Sequence, residues 1–202
     1  NVLLLDDGCS LGNKQKLRRN DWSKWDERLP IFQRLLVTLV ADFQKAWEGE
    51  REATLRILRA LTDASLAQAV TDDDRTLGRM AWHLAQSISE MMPRTGLPIT
   101  TPAQDAPVPG RAAEIVQAYE TASKAVADAI AGAWTDGTLE VEDDMYGMKW
   151  SRGQTLNALI VHQAHHRGQM TVLMRQAGLT VPGVYGPARE EWAAHGMKAP
   201  AV

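Results

Sequence analysis

The chain has 202 residues, enough for one domain of ordinary size whose core needs no staples. Its 22 Lys and Arg nearly balance its 25 Asp and Glu, so no chain-wide positive field is available to hold nucleic acid or an anionic membrane. A single cysteine, Cys9, excludes an internal disulfide and a thiolate metal cage, which points to a cytoplasmic protein whose reacting sulfur, if any, arrives with a ligand.

Residues 1–30 begin at Asn1 without a Met, and Val2, Leu3, Leu4 and Leu5 run at once into Asp6 and Asp7, too short and too acidic for a signal-peptide core. They are expected to form an N-terminal extension, poorly ordered or left over from an expression vector. The basic run 14–19 has no interleaved aromatics and is not read as a nucleic-acid site. The longest apolar stretch, 31–40, is broken by Gln33, Arg34 and Thr38 and falls short of the roughly 20 residues that cross a bilayer.

Four segments repeat their apolar residues with helical period and none of similar length alternates like a strand, so an all-α fold is expected. The first, 30–61, starts at Pro30 and aligns Phe32, Leu36, Val40, Phe43, Trp47, Leu58 and Leu61, with Gly49 as a point of kinking or division. Asp72, Asp73 and Asp74 read as a solvated turn. Thr76 then caps a second helix, 77–92, with Leu77, Met80, Leu84, Ile88 and Met91 on one side. Residues 93–110 hold five of the nine prolines and form a long crossover. The third helix, 111–134, presents an alanine-rich seam, and 135–150 reads as a loop. Ser151 and Gln154 have capping-box spacing for a fourth helix that runs to Ala177, where Gly178 suits the left-handed position that ends it. Four such helices joined by a long middle link predict a four-helix bundle of up-down-down-up order over 31–190, with 191–202 as a C-terminal tail.

Three of the five histidines fall within five consecutive positions. His162 and His166, four apart on a helix, stack on one face, so both imidazoles reach one point, whereas His165 lies about 100° away. His83, aligned with Met80 and Ser87 at the edge of the second apolar stripe, is placed to look into a groove between helices. Facing helices of a bundle build metal sites in this way, and three imidazoles leave a coordination position open for a ligand. The residues alone leave two readings standing: a site for one divalent metal ion at His83, His162 and His166, or histidines satisfied within a core. Zinc is the first expectation for the ion, with nickel, iron and manganese also accepted by such ligands.

A zinc peptidase would carry Glu directly after its first helical histidine, but Gln163 stands there, and no Asp or Glu occurs on the fourth helix. A cation can instead deprotonate a coordinating thiol without a protein base, so the expected partners are a small-molecule thiol and an electrophilic substrate. Hydrolysis or isomerisation by water that the cation activates, and a non-catalytic metal-binding stress-response protein, are the alternatives. Trp150 and Tyr185 read as packing aromatics, Arg167 and Arg175 as solvated, and Gln169 as placed to orient a ligand by a hydrogen bond.

The run Gly147-Met148-Lys149-Trp150, the stretch His162-Gln163-Ala164-His165-His166-Arg167-Gly168-Gln169-Met170 and the segment Val181-Pro182-Gly183-Val184-Tyr185-Gly186 resemble the DinB/YfiT family. Residues 76–84 resemble its first-ligand region, and the likeness covers about 31–190. The resemblance implies an up-down-down-up bundle, often a homodimer, with one divalent metal on a second-helix histidine and two fourth-helix histidines, matching His83, His162 and His166. It further implies metal-dependent transfer or isomerisation with bacillithiol, mycothiol or glutathione; the balanced charge and the short apolar runs, for their part, predict no nucleic-acid or membrane partner.

Overall fold

The computed structural model describes residues 37–201. The expected start of the first helix, with Phe32 and Leu36, and the 1–30 extension lie outside the described residues.

Four long helices make the frame: α1 (Val40–Arg59), α2 (Leu77–Met91), α3 (Ala112–Ala133) and α4 (Arg152–Gln176). Helices α1 and α2 each pack against both α3 and α4. Phe43 and Trp47 of α1, Leu84 and Ile88 of α2, Ile115 and Tyr119 of α3, and Leu159 and Met170 of α4 are fully buried in the shared core. Helix α1 runs through Gly49, an open position, as one element rather than two. Among the described residues no helix is long and apolar enough to cross a membrane.

Local chemistry explains the boundaries. The hydroxyl of Thr76 accepts from the Arg79 amide and opens α2, and Asp72, Asp73 and Asp74 before it are exposed. Ser151 and Gln154 form the reciprocal capping box of α4. At the other end Gly178 takes a φ of 74°, its amide bonding to Arg175 and the Leu179 amide to Met174, which satisfies carbonyls the helix would leave open. The 93–110 crossover is tied down: Leu97 and Ile99 are buried, and the Gln86 amide donates to the carbonyls of Ala103, Gln104 and Ala106.

The stretch 135–150, expected as loop, carries structure of its own. After a 3-10 turn at Asp136–Glu140 come β1 (Glu142–Met145) and β2 (Met148–Ser151), paired antiparallel with Met145 opposite Met148. The chain is mostly helical rather than wholly so. Tyr146 and Gly147 make the reversal with φ values of 62° and 82°, the primed-turn geometry that fits strand twist, and Asp144 accepts from the Gly147 amide. Four residues a strand give too short a record for alternation to show. The hairpin is pinned to the end of α2: the Tyr146 hydroxyl donates to Glu90, and Arg94, in the 3-10 turn just beyond the helix, lies 4.6 Å over the Tyr146 ring.

Candidate metal centre

Helix α4 has no single apolar stripe; it buries residues on several sides, and two of its buried faces are polar. The first is the histidine face. His162 and His166 are 2 % and 1 % exposed, and the half-buried His83 of α2 meets them across the interface. The Nε2 atom of His162 lies 3.1 Å from Nε2 of His83 and 2.9 Å from Nε2 of His166. One donor atom from each of the three lies within 4.8 Å of the others, and the rings meet edge to face. The structure thus brings together the three histidines that the sequence singled out.

The donor set suits a divalent cation. Imidazole nitrogens about 2.0–2.1 Å from a common tetrahedral zinc sit roughly 3.3–3.4 Å from each other, a few tenths of an ångström more than the separations seen, so small ring shifts would admit the ion. A ligand imidazole must be neutral, and burial pushes His166 down to about 4. A hydrogen bond with Gln169 opposes that shift, while His165 and Arg75 add to it. Gln169, one turn on, places Oε1 2.7 Å from His166 Nδ1, as its spacing suggested. His165 is exposed, with its ring 5.0 Å from that of His166, and stands beside the trio rather than within it.

The second polar face turns toward α1. Gln163, fully buried, donates to the Leu84 carbonyl at 3.3 Å and accepts from Thr54 at 3.4 Å. Arg167, read from sequence as solvated, is 2 % exposed. Its guanidinium pairs with Glu50, donates to Thr54 at 2.8 Å, and meets the Tyr185 hydroxyl, which also donates to Glu50 at 2.9 Å. Burial of this arginine is affordable only because its charge is matched and hydrogen-bonded. No local signal in the sequence links it to Glu50, 117 positions away. Tyr185 packs here, its ring 5.3 Å from the guanidinium, while Trp150 packs on Tyr146 and Arg175 pairs with Glu190 at the surface.

A model of the DinB family matches residues 35–199. Over 158 residues the chain is 51 % identical to the uncharacterised protein YrdA of Bacillus subtilis strain 168, a span of 78 % of this chain and 95 % of that one. It superposes on the crystal structure of a DinB-like protein from Bacillus cereus ATCC 10987 with a TM-score of 0.71 and 43 % identity, covering 73 % of this chain and 99 % of the other. A DinB-like protein of Bacillus subtilis, YjoA, matches with a TM-score of 0.58 over 71 % of this chain and 96 % of its own; at 16 % identity the likeness is one of fold.

Proposed function

The chain belongs to the DinB family, and on that premise we propose that it is a divalent-metal-dependent transferase that joins a low-molecular-weight thiol to an electrophile. His83, His162 and His166 are the proposed ligands, and zinc is the proposed ion, with nickel, iron or manganese as substitutes. The observation that carries this reading is the convergence of three imidazole nitrogens from α2 and α4 on a helix without a carboxylate. A bound divalent cation supplies the charge that stabilises a thiolate at neutral pH, a task for which α4 offers no carboxylate base.

The residues divide the remaining work. His162 and His166 are buried and His83 is half-buried, so His83 is the proposed ligand nearest to solvent. In the transfer, sulfur gives up its proton to solvent and bonds to the electrophilic carbon, and the bond from that carbon to the leaving group breaks. The frame proposed for this site is an up-down-down-up four-helix bundle over residues 31–190, working as a cytoplasmic homodimer. The 93–110 crossover is long enough to return the chain along α2 and make α2 and α3 parallel.

The test is a thiol screen. Protein reconstituted with zinc, nickel or manganese is offered a chromogenic aryl halide with bacillithiol, mycothiol, glutathione or no thiol. Thiol conjugate is expected with at least one thiol, only in the metal-loaded protein. Release of the halide at the same rate with no thiol added would overturn transfer in favour of hydrolysis, and no turnover with any thiol would favour a metal-binding protein without this activity.

A further inference from the structure

Gln169 meets His166 on the nitrogen opposite the one that faces His162. Its carbonyl oxygen stands 2.7 Å from His166 Nδ1. A carbonyl oxygen only accepts, so at this distance Nδ1 must carry the proton. The neutral ring has one proton, and Nε2, 2.9 Å from His162 Nε2, is thereby left as a bare lone pair aimed at the junction of the three rings.

The geometry points to Gln169 as the positioning residue that selects the Nδ1–H tautomer of His166 and fixes the plane of its ring. The inference rests on the proposed metal site and adds how one ligand of it is prepared. Free imidazole in water populates both tautomers, so a ring without this partner would spend much of its time with its proton on the nitrogen that has to bind. Helix geometry makes the contact cheap, because residues three apart already lie side by side. Gln169 is itself exposed, so its replacement removes the acceptor without opening the core. The choice of an amide also matters: a carboxylate in its place would accept the same proton but bring a negative charge, making His166 more basic and offsetting part of the cation's charge.

The experiment compares wild type, Gln169→Leu, Gln169→Glu and His166→Ala as full-length protein. Zinc affinity is measured by competition with a chromogenic chelator, and the tautomer of His166 is read from the 15N shifts and two-bond couplings of the metal-free protein. For Gln169→Leu we expect zinc binding weakened about 10-fold or more, an Nε2–H signal gained by His166, and an unchanged melting temperature. Gln169→Glu should restore both affinity and the Nδ1–H signature. The inference fails if Gln169→Leu binds zinc like wild type, or if wild-type His166 carries its proton on Nε2, which would mean that the Gln169 amide donates. His166→Ala keeps the two questions apart: if it too binds zinc undiminished, the metal site itself is wrong; if it loses zinc while Gln169→Leu does not, only the role of Gln169 is.

Discussion

Helix α4 buries two polar faces, and they solve the cost of burial in opposite ways. On the α1 side, unlike groups meet: the Arg167 cation finds the Glu50 carboxylate, and Thr54, Tyr185 and Gln163 supply further donors and acceptors, with only the buried Nε of Arg167 left over among the guanidinium nitrogens. On the α2 side, like groups meet: three imidazole nitrogens converge at 2.9–3.1 Å with no carboxylate anywhere on the helix. The first cluster is held by opposite charges within the fold. The second gathers nitrogen donors of the kind a divalent cation takes, which is why the metal is proposed there and not one residue along the helix.

The strongest test of that contrast removes one half of the matched face. Glu50→Ala leaves the guanidinium of Arg167 buried without its anion and should lower unfolding free energy by about 3–5 kcal/mol in urea titrations, while metal stoichiometry at low temperature stays at wild type. A loss of metal with no loss of stability would reverse the assignment of the two faces. Next comes His162→Ala, which removes the ring that touches both others. It should weaken zinc binding by more than 100-fold, or about 3 kcal/mol, with little change in metal-free stability. Retention of metal would show that the trio is packing alone.

The smallest effect is a pH dependence of the metal-free protein. His166 is depressed in the folded state to about 4 by burial, so below its ordinary value near 6.5 the unfolded chain takes up a proton that the folded chain refuses. Its contribution is therefore neutral to stability above about pH 6.5 and becomes progressively unfavourable on acidification, reaching about 3 kcal/mol by pH 4. Urea melts of His166→Ala and wild type should diverge over that window, with wild type losing more. Parallel curves would mean that the ring is solvated enough to titrate normally.

How much of this was written in the sequence depends on how far apart the partners are. The caps at Thr76 and Ser151 and the stop at Gly178 were legible because each is decided within four residues. His162 and His166 were legible for the same reason: one helical turn joins them. His83 required knowing which side of α2 faces inward, and its apolar stripe supplied that together with the family likeness. The hairpin was missed because its strands are four residues long, although Gly147 marked the turn. Arg167 was misread because an arginine's usual place is at the surface, and its partner lies on another helix.

Gln163 acquires a different significance from its surroundings than from its identity. A peptidase of the His-Glu-x-x-His type needs a carboxylate after its first histidine, and this chain differs from that pattern at one residue, Gln163. The side chain at 163, however, is sealed between α1 and α2, its amide engaged with the Leu84 carbonyl and its oxygen with Thr54. An ionised glutamate there would face the Leu84 carbonyl, to which it cannot donate, and would be buried without a cationic partner among the contacts that Gln163 makes. The road from this scaffold to proteolysis is closed by packing, so attempts to evolve a hydrolase from it should begin by placing a base on α2 or the 181–186 segment instead.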